Sequence, residues 1–357
     1  MLRNLCSYAL AAILSLLFIS AASAADDSQS LQIYFIDVEG GQSTLIVDSA
    51  NESLLVDTGW AGFNGRDADR IEAAAQAAGV HQIDIVVITH YHGDHVGGVP
   101  EIARRIKIGT FVDHGPDVEN SDRTRGGYAA YQKVAVEAKH RVANPGDQLP
   151  FKGMKVQIVA AAGETIKSPI AGKGQLNPLC SSEPEAPFDP SENAQSVGML
   201  ITYGNFHFID LGDLTKRKER ALVCPNNLLG TVDLYLTTHH GLDESNSKAI
   251  VEALHPRVAI MNNGAHKGGV PAAWQIVHDS PGLEALWQLH YAMDGGKEHN
   301  VADDFIANLG EKDQGNYIKV SAQMNGTFTV TNSRYNYQKT YTKQSGVAIP
   351  LNIQTAR

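Results

Sequence analysis

The 357-residue chain carries 29 basic against 39 acidic side chains, a formal net charge of −10, and 43% of its residues are hydrophobic. That apolar share in a chain of this length can bury a sizeable core. Net acidity disfavours tight binding to long polyanions, which usually takes a basic face; it leaves nucleic acid open only as a substrate.

Arg3 precedes an uncharged apolar run from Tyr8 to Ile19, and Ala22-Ser23-Ala24 follows with the small residues a signal peptidase accepts. This pattern predicts a signal peptide over residues 1–24, cut after Ala24, and a periplasmic or secreted protein with no stable membrane contact after cleavage. Cleavage removes Arg3 and no acid, leaving 28 basic and 39 acidic residues and a charge of −11. Cys180 and Cys224 then remain, and an isolated pair in an oxidising compartment predicts a disulfide. The alternatives are two free thiols or a soft metal ligand, but neither cysteine has a second one at ligand spacing.

Strands are expected at 31–38, 43–47 and 54–56, then an alanine-rich helix at 66–78 stopped by Gly79. The β-branched run 83–88 predicts a strand buried on both faces. A helix near 99–106, a strand at 108–113 and a helix near 127–141 complete the first half. A hairpin at 148–159 turns at Lys152-Gly153, and residues 163–193, rich in Pro, Ser, Gly and Glu, form a long loop of the functional or mobile kind. Strands at 197–203, 206–211, 232–238, 257–261, 316–322 and 327–332 are expected, with helices at 215–222, 246–254 and 283–290. Such strand-rich halves predict two packed sheets covered by helices.

The chemistry concentrates in Thr89-His90-Tyr91-His92-Gly93-Asp94-His95. Three histidines and an aspartate within six residues supply nitrogen and hard oxygen donors for a metal. His90 closes a buried strand, and Gly93 turns the chain. Asp94 and His95 then come from the start of a helix, so two ligands can serve one metal and two a neighbour.

This motif resembles the His-x-His-x-Asp-His hallmark of the metallo-β-lactamase-fold hydrolases, and the resemblance runs in order over about residues 31–300. Asp57, in Asp57-Thr58-Gly59, resembles the family aspartate that supports the site from behind. Asp213, in Gly212-Asp213, resembles the metal-bridging aspartate, and His239-His240-Gly241 resembles the segment carrying the last histidine. Phe35-Ile36-Asp37-Val38 with Gly40-Gly41-Gln42-Ser43, Asn193-x-x-Ser196, and His240-Gly241 followed by Ser245 are similar to the ComEC-like branch. The resemblance implies an αββα sandwich with two mixed β-sheets flanked by helices. It places the hydrolase domain at 25–335 and a C-terminal tail at 336–357.

The implied metal ligands are His90, His92, Asp94, His95, Asp213 and His240, with zinc as cofactor in one or two ions, or manganese or iron. His239 competes with His240. Alternation along a strand opposes both binding one ion, and the glycine after His240 favours it, leaving His239 for proton transfer. Between Phe151 and Ser196 no histidine occupies the position that other branches use for the metal of His90 and His92. His114 is one candidate to replace it. His266 and Lys267 are candidates to contact an anionic leaving group, and the basic residues Lys216, Arg217 and Lys218 are either solvated or face an anionic substrate.

The function implied is hydrolysis of an ester-type bond by water activated on the metal and oriented by Asp94, phosphodiester ahead of carboxylic ester. A lactonase or β-lactamase acting on a small cyclic ester or amide is the second reading, and a non-catalytic binding protein the third. The 163–193 loop is expected to shape the substrate entrance.

Overall fold

A computed structural model describes residues 30–170, 174–311 and 315–342. The expected signal peptide at 1–24 and the chain beyond 342 lie outside the described residues.

The first half runs β1 (Leu31–Phe35), β2 (Thr44–Val47), β3 (Ser53–Val56), α1 (Arg66–Ala77), β4 (Gln82–Val87), α2 (Gly93–Val96), α3 (Val99–Arg105), β5 (Lys107–Asp113), α4 (Arg125–Ala135) and β6 (Lys139–Val142). The next stretch holds β7 (Gln148–Leu149), β8 (Lys155–Ala161), β9 (Glu164–Thr165), β10 (Gln175–Leu176), β11 (Gly198–Tyr203), β12 (Phe206–Asp210), α5 (Lys216–Val223), β13 (Asn226–Asn227) and β14 (Leu234–Leu236). Then follow α6 (Lys248–Leu254), β15 (Val258–Met261), α7 (Pro271–His278), β16 (Ala285–His290), β17 (Ile306–Asn308), β18 (Ile318–Ala322), β19 (Phe328–Asn332) and β20 (Tyr337–Tyr341).

Among the described residues these strands form two nine-stranded sheets and a two-stranded one, β10 with β13. The first has the order β20-β19-β18-β1-β2-β3-β4-β5-β6, and the second β17-β16-β15-β14-β12-β11-β8-β7 with β9 on β8. One apolar layer lies between the sheets, joining Ile33, Phe35, Val56 and Val87 of the first to Ile158, Phe208, Leu236 and Trp287 of the second. Phe35 and Phe208 meet edge to face at 5.6 Å across it. A second layer packs Ile71, Ile102 and Tyr131 of α1, α3 and α4 onto the outer face of the first sheet. A third packs Leu222, Leu254 and Trp274 of α5, α6 and α7 onto the outer face of the second. The αββα sandwich expected from the resemblance is the observed architecture, a mixed α/β fold of two large sheets.

Three expected elements change. Residues 283–290 are the strand β16, parallel to β15. Five of its six residues are buried, Gln288 and His290 among them, so neither face is exposed and no polar-out alternation marks a strand. The helix expected at 127–141 ends at Ala135, and the polar run Lys139–Val142 instead makes the edge strand β6 against β5. The tail expected from 336 is in part β20, which pairs with β19 and receives the Trp287 indole N–H on the Tyr341 hydroxyl at 3.0 Å. The domain therefore extends at least to Tyr341. Helix α7, started by Pro271 in its first turn, had no expected counterpart.

The Cys180–Cys224 disulfide is present. It fastens the 163–193 loop to the C-terminal end of α5, where Arg217 also pairs with Glu185 at 2.9 Å and Arg220 donates to the Cys180 carbonyl at 2.6 Å. Arg217, Lys218 and Arg220 of α5 thus hold the loop rather than face a substrate, Lys218 through the Gly163 carbonyl. Among the described residues no helix is long and apolar enough to cross a membrane.

Two stability predictions follow from this packing. Cys180 and Cys224 are 44 residues apart, so replacing both by serine should lower unfolding free energy by about 2–4 kcal/mol in denaturant titrations. An unchanged midpoint would show that the bridge closes a loop other contacts already fix. The second concerns Glu219, fully buried, which accepts from the backbone N–H groups of Asn246 and Ser247 ahead of α6. Burial pushes its carboxyl up to about 7. A raised carboxyl favours folding below its unfolded value and costs stability as pH rises through the folded one. In chelator, wild type should therefore lose stability relative to Glu219→Gln between pH 4.5 and about 7, by at most roughly 3 kcal/mol. A difference independent of pH would contradict this.

Candidate metal centre

The cluster lies at one edge of the sandwich, where parallel strands deliver their C-terminal ends. His90 follows β4, Asp213 follows β12, and His239 and His240 follow β14. Backbone hydrogen bonds tie these ends together: Thr58 N–H to the His95 carbonyl at 2.7 Å, Val197 N–H to that of Thr89 at 2.9 Å, and His239 N–H to that of Gly212 at 2.9 Å. Gly212 has φ +55°, and a Cβ there would lie 2.9 Å from the Thr89 Cβ, so glycine is what lets the strand ends touch. A Cβ on Gly41 would lie 2.5 Å from the Asp94 carbonyl oxygen.

Asp94, His95, Asp213 and His240 each offer one donor atom, all within 4.8 Å of one another, and all four residues are buried. His240 Nε2 lies 3.3 Å from Asp94 Oδ2 and 3.4 Å from Asp213 Oδ1; His95 Nε2 lies 3.3 Å from Asp94 Oδ2 and 3.2 Å from Asp213 Oδ2. On the neighbouring side, His90 Nε2 is 3.0 Å from His92 Nδ1 and 3.8 Å from Asp213 Oδ2. Asp213 Oδ1 and the Nδ1 atoms of His239 and His240 are buried without a hydrogen-bond partner.

The electrostatics follow from this crowding. Burial works to raise the carboxyls of Asp94 and Asp213. The field of His95 at Asp94, and of His240 and His95 at Asp213, outweighs burial and holds both well below the usual carboxylate range. Burial alone would keep His95 neutral, but the charges of Asp213, Asp94 and Asp57 hold it well above the ordinary histidine value. Burial dominates at His90 and His239 and lowers both. Two buried carboxylates among nitrogen donors, some left unpartnered, fit a divalent cation of the zinc, manganese or iron kind.

Asp57 stands behind the cluster as expected. Its Oδ2 is 2.7 Å from His95 Nδ1, and it accepts from the Thr89 N–H at 2.8 Å and the Thr89 hydroxyl at 2.7 Å. That contact occupies Nδ1 and leaves Nε2 of His95 facing the cluster.

Two expectations are corrected. His239 and His240 were weighed by strand alternation, but β14 ends at Leu236 and both histidines have φ +55° in a tight turn. This backbone, costly for non-glycine residues, brings both rings to Asp213, His239 through Nε2 at 3.4 Å from Oδ2. His114 does not reach the cluster: its Nε2 sits 2.8 Å from Glu192 Oε2, and its ring lies 4.6 Å from Tyr91. His266, 59% exposed, leans toward Asp294 at 3.6 Å and Glu311 at 3.8 Å, away from the cluster.

Sequence reasoning missed two carboxylates. Glu119 Oε1 lies 3.1 Å from His92 Nε2, which leaves the Nδ1 of His92 turned toward His90. Glu192, fully buried, accepts from the N–H groups of Tyr91 and Val118 and from His114. Neither belongs to a motif; each becomes adjacent only through loops more than 25 residues from the histidines. Next to Glu192, Asn193 places its Nδ2 3.5 Å from His239 Nε2, so the end of the long loop does reach the site. Gln42, quoted within Gly40-Gly41-Gln42-Ser43, donates to both oxygens of Asp210, whose carboxyl burial pushes up to about 6.

If Asp57 fixes the His95 tautomer, Asp57→Asn should weaken zinc affinity by roughly 10–100-fold with an unchanged circular dichroism spectrum. Chelator competition reads this, and affinity within about twofold of wild type would remove the role.

Residues 36–168 match the family described as "Metallo-beta-lactamase superfamily". Among curated proteins, the chain is 26% identical over 191 residues to ComE operon protein 3 of Bacillus subtilis (strain 168), covering 53% of this chain and 21% of that protein. It is 28% identical over 117 residues to Ribonuclease Z of Methanopyrus kandleri, covering 32% of this chain and 37% of that one. It is also 28% identical over 113 residues to Atrochrysone carboxyl ACP thioesterase dmxR1 of Cryptosporiopsis sp. (strain 8999), covering 31% and 34%. The chain thus spans between 21% and 37% of the length of these relatives. The matched segment includes the histidine motif and lies within the two-sheet sandwich, so residues 36–168 are similar to a metallo-beta-lactamase superfamily domain.

Proposed function

We propose that the protein is a metal-dependent hydrolase of ester-type bonds, with phosphodiesters ahead of carboxylic esters. The convergence of Asp94, His95, Asp213 and His240 within 4.8 Å carries this reading. These four would hold the ion, and His90 and His92 would open a second position beside Asp213. A divalent cation held there, zinc first, would supply Lewis acidity and make a water molecule more acidic. The chain's own groups do the rest. Asp57 and Glu119 orient His95 and His92, Asp94 accepts a hydrogen bond from the attacking water, and His239, 9% exposed with Nε2 toward Asp213, serves proton transfer.

The similarity to a ribonuclease supports the phosphodiester preference. The similarity to a thioesterase supports a second reading, a carboxylic thioester or ester. The Cys180–Cys224 disulfide supports work in an oxidising compartment, outside the cytoplasm.

The test assays bis-p-nitrophenyl phosphate, a lactone panel, an acyl thioester and nitrocefin side by side with added zinc or manganese. We expect diester turnover that falls at least about 100-fold on chelation and in a His92→Ala/Asp94→Ala variant. Turnover of nitrocefin alone overturns the ester reading, and turnover of the thioester alone moves it to the second. Purified protein holding under about a tenth of an equivalent of transition metal overturns the metal reading.

A further inference from the structure

We infer that Lys267, backed by the indole of Trp60, binds the anionic oxygen of the substrate and makes the centre selective for negatively charged esters, a phosphate oxygen first. This rests on the hydrolase reading above and names the residue that would set its substrate class.

The loop that carries Lys267 is built into the site. Gly269 N–H donates to the His240 carbonyl at 2.9 Å, and Gly264 N–H donates to the Lys267 carbonyl at 2.8 Å. Gly268 has φ +75°, and a Cβ there would come within 2.2 Å of the His240 carbonyl oxygen. On the other side, a Cβ on Gly40 would sit 2.9 Å from the Lys267 Cβ. The backbone of Lys267 is therefore clamped between the ligand-bearing turn and the loop after β1. From this anchor the side chain reaches the centre, where its ammonium pairs with Asp94 Oδ2 and lies 5.0 Å from the Trp60 ring centroid. Lys267 is 33% exposed and Asp94 8%, which puts the charge at the boundary between ligand cluster and solvent.

Neighbouring cations are committed elsewhere. Arg66 pairs with Asp67 at 2.6 Å and Arg70 with Asp37 at 3.1 Å, while His266 leans outward. Trp60 is held by its backbone N–H on Asp67 Oδ2 at 2.8 Å, and its indole lines Gly93 of the histidine motif.

The physical argument concerns how one carboxylate is shared. Asp94 Oδ2 already faces His95 Nε2 and His240 Nε2 at 3.3 Å each. The more of its charge goes to a cation in the cluster, the less remains for the ammonium. A half-buried ammonium then gains most from a second anion arriving at the cluster. A phosphate oxygen supplies it, and a neutral ester does not, so discrimination comes from the charge left unpaired in the wrong complex. Lysine suits this as a compact point charge, and the indole face steadies the ammonium from behind.

The test uses the full, metal-loaded protein and inorganic phosphate as probe. Calorimetry gives the phosphate dissociation constant for wild type, Lys267→Ala and Lys267→Arg. Metal content is measured on each, and KM and kcat are compared for bis-p-nitrophenyl phosphate and neutral p-nitrophenyl acetate. Trp274 and Trp287 are buried, so Trp60 fluorescence gives a second binding readout that should vanish in Trp60→Phe. We expect Lys267→Ala to weaken phosphate binding about tenfold or more with full metal content, and to raise KM for the anionic diester alone. Lys267→Arg should stay within about threefold of wild type. Unchanged phosphate affinity in Lys267→Ala overturns the inference. So does parallel loss of metal, which would make Lys267 a support of Asp94, or an equal effect on the neutral ester. If no ester is turned over by any form, the hydrolase reading fails, and the phosphate measurement still decides the role of Lys267.

Discussion

Asp213 is met by four imidazoles, those of His90, His95, His239 and His240, at 3.2 to 3.8 Å. A buried carboxylate is costly unless partners surround it, and these partners come from two different sheets. His90 and His95 arrive from the turn after β4, and the other two from the turn after β14. The alignment of the two sheets therefore sets the geometry of the centre, and shifting either by the width of a side chain would leave a buried charge unpaired.

The sandwich meets that demand through its core and its edges. Phe35 on Phe208 locks the sheets near their middle, and the hydrogen bonds from Val197 to Thr89 and from His239 to Gly212 lock the strand ends. The same edge stores backbone cost: His239 and His240 hold left-handed conformations that few side chains adopt without compensation. Compensation comes from contacts around the turn, including Tyr235, which accepts from the Thr238 N–H and donates to Asn246. Asp57 and Glu119 stand behind His95 and His92, fix their ring orientations and leave the inner donors free.

The long loop divides into two parts with different work. Its first part lies on α5, held by the disulfide, Arg217 and Arg220. Its last residues turn inward, Glu192 to Tyr91 of the histidine motif and Asn193 to His239. Fastening the first part gives the second a fixed base, so a segment with only two-residue strands and short turns still brings side chains to the site.

The sequence by itself determined the two-sheet sandwich and singled out the histidine–aspartate cluster and Asp57, because each is written in contiguous patterns. Buried strands show as β-branched runs, and ligands show as histidines at a glycine turn. Strand β16 and the edge strand β6 escaped it, since the first is buried on both faces and the second largely exposed on both, so neither shows the alternation of a half-buried strand. Only the tertiary structure decided that His239 and His240 share one aspartate, that His114 serves Glu192, and that Glu119 and Lys267 belong to the site. These are contacts between segments 27 to 173 residues apart, or turns whose φ angles no residue pattern records. Local propensity fixes which residues can make a ligand; packing fixes which of them meet.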